Sequence, residues 1–192
     1  MKLIPALLVL VLSVLSLSSC NTPGATSQAV EPPPSKLQYK IGETAAIEDN
    51  HLKLAFTVNG VREHGGIEFL QPQEGHKWLL VNTTIINHGK KAEAISLAEF
   101  QLADGEGKIY EADIFDGALT DVTSILGQIE PGGERQGSIS FEIPRNVQDL
   151  KLIFHPNRVA CNAFSDDAET TLVKKKLVEA SFNCTPIAIA LD

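Results

Sequence analysis

The side chains in this chain with potential for metal, acid–base or redox chemistry are five histidines, three cysteines and a few acidic loops. The histidines are His51, His64, His76, His88 and His155. No two stand at i, i+2 or i, i+4, the spacings that put two imidazoles on one side of a strand or helix, and His-Glu-x-x-His is absent. Asp113-Ile114-Phe115-Asp116 and Asp104-Gly105-Glu106 carry carboxylates, but not at the density of a calcium loop. The one methionine, Met1, lies at the extreme N-terminus, so no thioether is left for a copper site further along the chain. No Gly-x-Ser-x-Gly frames a nucleophilic serine, and no glycine-rich phosphate loop occurs. The expectation is therefore no catalytic residue, no metal site and no cofactor. Cys161 and Cys184 are too far apart for a Cys-x-x-Cys redox pair, and lack the neighbours of a tetrahedral zinc site.

Cys20 is different because of what precedes it. Lys2 is followed by an aliphatic run from Leu3 to Leu17, then Ser18 and Ser19. That run is shorter than the roughly 20 apolar residues a membrane span needs. Leu17-Ser18-Ser19-Cys20 resembles the lipobox of bacterial lipoproteins, in which small residues admit the peptidase and the cysteine is acylated. The resemblance implies a signal peptide over 1–19 and a lipid bilayer engaged through acylated Cys20, at about 0.8 kcal/mol per buried methylene. The domain would then face the periplasm or exterior from a cell membrane or outer membrane. Export also fixes the reading of the other two thiols. In an oxidising compartment Cys161 and Cys184 are expected to form a disulfide, closing about two dozen residues and contributing about 3 kcal/mol.

Residues 20–36 read as a tether. They are rich in Thr, Ser, Ala and Pro and end in Glu31-Pro32-Pro33-Pro34, a composition that cannot bury a core. As a flexible chain they reach about 20–25 Å. The chain as a whole carries 24 acidic against 16 basic residues, a net charge of −8. Such a surface repels phosphate backbones, so no nucleic acid is expected as partner. Lys174-Lys175-Lys176 is a basic run, but Glu169 and Glu179 flank it, which fits a solvated face.

From Leu37 to Pro156 the chain reads as strands. Leu52, Leu54, Phe56 and Val58 alternate onto one face, as do Ile139, Phe141 and Ile143. Trp78 to Ile86 is apolar on both faces, as a central strand would be. Leu97–Leu102 is a further candidate strand, with Asp104-Gly105-Glu106-Gly107 turning into Lys108-Ile109-Tyr110 and Leu150–Phe154 closing the set. Trp78 and Phe141 are large enough to anchor a core, and Asn87 suits a strand end. Short strands between turns predict an all-β, antiparallel β-sandwich over 37–156. Residues 157–192 form a C-terminal extension stapled by Cys161 and Cys184. Val173, Leu177, Ala180 and Cys184 recur at helical spacing there, with Asp166 or Asp167 as cap; a pair of extra strands fits as well.

The order of several short motifs is similar to that of a bacterial envelope family known only as a domain of unknown function. These are Ile41-Gly42-Glu43-Thr44, Phe56-Thr57-Val58-Asn59, Gly75-His76-Lys77-Trp78, Ile85-Ile86-Asn87-His88-Gly89, Asp104-Gly105, Ile129-Glu130-Pro131-Gly132-Gly133 and Phe141-Glu142-Ile143-Pro144. The resemblance covers Ile41–Pro156. It implies an immunoglobulin-like sandwich over 37–156, similar to a secreted mycobacterial immunogenic antigen, and an extracytoplasmic module that is not an enzyme; it carries over no catalytic residue. Two functions follow: a lipid-anchored scaffold or protein-binding module with an envelope protein as partner, or capture of a small ligand or metal ion by histidines and acidic groups.

Overall fold

A computed structural model describes residues 37–113, 122–162 and 184–192. Its strands are β1 (Gln38–Lys40), β2 (Thr44–Glu48), β3 (Lys53–His64), β4 (His76–Asn87), β5 (Glu93–Ile95), β6 (Phe100–Ala103), β7 (Ile109–Glu111), β8 (Gly127–Ile129), β9 (Glu134–Pro144), β10 (Lys151–Phe154) and β11 (Ile187–Ala190), with one short helix, α1 (Arg158–Asn162). One sheet has the order β2-β3-β4-β9, the facing one β1-β11-β10-β6-β7, and β5 pairs with β8. All named pairs are antiparallel except β1 with β11. The predicted β-sandwich is the fold.

Alternation places the core where the sequence put it. Leu52, Leu54, Phe56 and Val58 are buried, as are Ile139, Phe141 and Ile143. Each such side chain contributes about 1.5–3 kcal/mol by leaving water. The sheets are joined by an aromatic trio: Phe154 of β10 lies 4.6 Å from Phe56 of β3 and 5.0 Å from Phe100 of β6, centroid to centroid. β4 is central, flanked by β3 and β9 along its whole length. Its odd residues Leu79, Val81 and Ile85 join the core. Trp78 is also buried, but on the other face, where it stacks with His64 at 6.1 Å. What brings His64 onto that face is a bulge in β3 between Val58 and Gly60. One extra residue shifts the alternation, so even positions face the core before the bulge and away from it after.

Three local features differ from the sequence reading. Leu97–Glu99 is a 3-10 turn and the strand begins at Phe100, because Ser96 N–H donates to Glu99 Oε2 (3.2 Å), a capping contact that favours a helical turn. The outer edge of β9 is covered by bridges from Asp113 to Ser140 and from Ser124 to Ser138. Ser124 comes so close that a Cβ on Gly137 would sit 2.4 Å from its carbonyl carbon, so only glycine fits. Finally, the sheet continues past Pro156. Ile187, Ile189 and Leu191 are buried, and β11 sits between β1 and β10. The Cys161–Cys184 disulfide is formed, with Cα atoms 5.9 Å apart, and delivers the chain to β11. The expected helix around 173–184 lies outside the described residues, apart from Cys184.

The registers define two poles. Glu48, Lys53, Asn87, Phe100, Phe154 and Ile187 lie at the pole where β1 begins after Leu37; His64, His76, Ala103, Pro144 and Lys151 lie at the far pole. At the near pole Asn87 is fully buried. Its Nδ2 donates to the carbonyls of Lys91 (2.7 Å) and Ile129 (3.0 Å), and its Oδ1 accepts from Gly89 N–H (2.8 Å).

Asn87→Ala strands those three backbone groups and should lower unfolding free energy by about 1–3 kcal/mol in urea melts. Replacing Cys161 and Cys184 by Ser should cost about 3 kcal/mol. Hydrogen exchange should then show protection lost first at Ile187–Ala190.

Candidate functional site

The structure spreads the histidines over both poles. His64 and His76 are at the far pole; His51, His88 and His155 are at the near one. Three of the rings have local contacts. His64 Nδ1 accepts from Gly66 N–H (3.0 Å), His76 Nδ1 lies 3.2 Å from the Glu74 carbonyl, and His155 Nε2 lies 2.7 Å from the Cys184 carbonyl. Among the described residues, no group of three or more His, Cys, Asp or Glu could hold a metal ion. Cys20 and Lys174–Lys176 lie outside the described residues, as do Ile114–Asp116.

The near pole gathers carboxylates. Asp49 Oδ1 caps the β2–β3 turn by accepting from the N–H groups of His51 (2.6 Å) and Leu52 (2.8 Å), and its Oδ2 accepts from Asn157 Nδ2 (2.9 Å). Burial raises Glu93, with the charge of Asp49 adding to it. Burial also pushes Glu99 up to about 7, against a bond from Ser96 that lowers it, with Glu93 nearby. Glu99 thus holds its proton more tightly than an exposed carboxyl while one oxygen accepts from its own turn. Arg158 of α1 donates to the Ala98 carbonyl (3.0 Å) and pairs with Glu111 (3.3 Å), tying α1 to that turn and to β7. Burial acts to raise Glu111, but its bonds from Arg158 and Gln101 hold it below the usual carboxylate range.

The far pole carries the β6–β7 hairpin. Asp104 Oδ1 accepts from the N–H groups of Glu106 (3.0 Å) and Lys108 (2.9 Å), and Oδ2 accepts from the Tyr110 hydroxyl (2.8 Å). That hydroxyl bond is the main reason Asp104 titrates low. Tyr110 is pushed up to about 12 by desolvation, then by Asp104. Lys108 Nζ lies 4.9 Å from the Tyr110 ring centroid. Between this hairpin and the β9–β10 turn runs a cleft of about 490 Å³, with Asp104, Glu106, Lys108 and Asp149 among its lining residues. Asp104 and Glu106, considered above for calcium, therefore hold a turn and edge this cleft. Asp113 Oδ2 accepts from Glu142 N–H (3.2 Å), and burial raises it.

Two features at these poles went unassigned in the sequence. Ser96-x-x-Glu99 carries a capping-box signature that marks Glu99. Gly65-Gly66 and Pro72 bracket a turn that carries Phe69, which is 84% exposed.

The architecture defines an extended two-sheet sandwich domain whose loops lie at two opposite ends. More particularly, the chain belongs to the family described as Domain of unknown function (DUF4352), matched over residues 39–163. Among solved structures it is similar to the yjhA protein of Bacillus subtilis, with 20% identity and a TM-score of 0.52 over 80% of this chain and 99% of that one. It is also similar to the secreted protein MPT63 of Mycobacterium tuberculosis, with 15% identity and a TM-score of 0.47 over 61% of this chain and 87% of that one. An uncharacterized β-sandwich protein of Clostridium difficile gives 14% identity and a TM-score of 0.45 over 84% of this chain and 100% of that one. At these identities the first shows a shared fold. No curated protein matches the sequence.

Glu99 gives a pH signature. Between its ordinary value of 4.5 and about 7, the folded protein holds a proton that the unfolded chain has released. Stability should therefore fall as pH rises through that window, and level off above it. In urea unfolding at pH 5 and pH 8, Glu99→Gln should remove about 1–3 kcal/mol of this difference.

Proposed function

We propose that the protein is a lipid-anchored module of the bacterial envelope that works by binding another envelope protein and does not turn over a substrate. The observation that carries this reading is the order of parts along the chain. An apolar run ends at Leu17-Ser18-Ser19-Cys20, a proline-rich stretch follows, and the sandwich begins at Gln38, directly after it. A thioether-linked lipid on Cys20 then holds a self-contained β-domain at the end of a short spacer. Both poles support binding over catalysis. Their best-placed carboxylates, Asp49, Glu99 and Asp104, accept hydrogen bonds from their own turns. Among the described residues no helix is long and apolar enough to cross a membrane.

Intact mass analysis of the membrane-extracted product should show cleavage before Cys20 and a diacylglyceryl mass on that residue. Cys20→Ser should release the folded domain from the membrane fraction. A free thiol at position 20, or a retained leader, would refute the anchor.

A further inference from the structure

The β3–β4 turn displays an aromatic side chain on a rigid mount. Ile67 and Leu70 exchange two backbone hydrogen bonds, Ile67 N–H to Leu70 O (2.8 Å) and Leu70 N–H to Ile67 O (3.0 Å), leaving Glu68 and Phe69 at the tip. Gln71 Nε2 donates to the Ile67 carbonyl (3.1 Å). Gln73 N–H donates to Glu142 Oε1 on β9 (2.7 Å), which fastens the loop to the sheet. Gly66 has φ +89°, and a Cβ there would fall 2.5 Å from the Leu70 carbonyl oxygen, so the turn is built around glycine. Phe69 is 84% exposed on this scaffold, the highest exposure among the large apolar side chains described. A fixed, exposed aromatic needs little ordering on association, which is the property of an interface anchor.

The surroundings favour one occupant. The turn lies at the far pole, where Arg145 N–H donates to the Gly75 carbonyl (3.0 Å), joining the foot of the loop to the β9–β10 turn. That second turn edges the cleft lined by Asp104, Glu106 and Asp149 against Lys108. Glu68 stands beside Phe69 at the tip. The loop from 65 to 75 therefore combines an apolar knob with two carboxylates, Glu68 and Glu74, and no Lys or Arg. It is also remote from the point where the chain enters the sandwich at Leu37. β3 alone spans about 40 Å from pole to pole. Net charge of −8 opposes both an anionic lipid surface and a second copy.

We infer that Phe69 and its turn form a docking surface for a separate envelope protein that offers an apolar pocket rimmed by lysine or arginine. The inference rests on the binding-module reading and gives that reading a location.

The test places benzoylphenylalanine at position 69 of the full-length chain in the producing cell. The control is the same probe at Val159, which is 64% exposed at the near pole. Irradiation should yield one protein adduct from position 69 and none from 159. With that adduct partner purified, Phe69→Ala should weaken binding by about tenfold or more, and Phe69→Leu should largely preserve it. Raising salt to about 0.5 M should weaken binding further. No adduct from position 69, equal adducts from both positions, an adduct only to lipid or to a second copy, or a Phe69→Ala affinity equal to wild type would each overturn the inference. Repeating the irradiation on Cys20→Ser separates the two proposals. An adduct that persists without the anchor supports the surface even if lipidation fails, and a lipidated chain with no adduct removes the surface alone.

Discussion

The sandwich depends on a strand that arrives last. β11 lies between β1 and β10, parallel to the first and antiparallel to the second. Without it, β1 would have no backbone partner in its sheet and β10 would lose one side. Burial reinforces the pairing, since Ile187 and Ile189 join the same core as Phe100, Leu102, Leu152 and Phe154. The disulfide contributes by setting where the chain re-enters. Cys184 precedes β11 by only three residues, and His155 holds the Cys184 carbonyl beside the end of β10. Backbone pairing, apolar burial and one covalent link thus act on the same few residues.

Around that sheet, polar groups are used to finish turns. Asn87 closes the end of β4, Asp49 the β2–β3 turn, Glu99 the turn before β6, and Asp104 the β6–β7 hairpin. Each satisfies backbone donors or acceptors that a strand end would otherwise leave open, which buried backbone requires. Phe69 is the contrary case: its turn is finished by backbone and by Gln71, leaving the side chain itself uncommitted.

Much of the fold was legible because strand periodicity is local. Leu52 to Val58 and Ile139 to Ile143 show alternation that needs no tertiary knowledge, and the two-sided apolarity of Trp78–Ile86 marks a central strand. Trp78 is buried as its size suggested, on the face of β4 away from Phe56, and the neighbour it meets there was not legible. His64 stacks on it only because the Val58–Gly60 bulge reverses the facing of β3. A bulge is a property of pairing, which a single strand's sequence does not encode, although a glycine inside a strand, here Gly60, is its usual mark. The place of Ile187–Ala190 was hidden for a related reason. Four apolar residues form a strand only because β1 and β10 flank them, and those partners are far away in sequence. The Cys161–Cys184 pairing was readable from cysteine count and compartment alone. Glu99 was not singled out, since its raised proton affinity comes from burial by elements on either side of it.

The parallel pairing of β1 with β11 sets how the domain would bear tension. A pull applied at Leu37 along the axis of β1, away from the far pole, loads that pair lengthwise. The hydrogen bonds to β11 then resist side by side in shear and do not open one after another like a zipper. The neighbouring strand that receives this force is the one that the Cys161–Cys184 link ties back near the end of β10, so strain passes into the body of the sheet. Orientation of a single short strand thereby stiffens the sandwich where β1 begins.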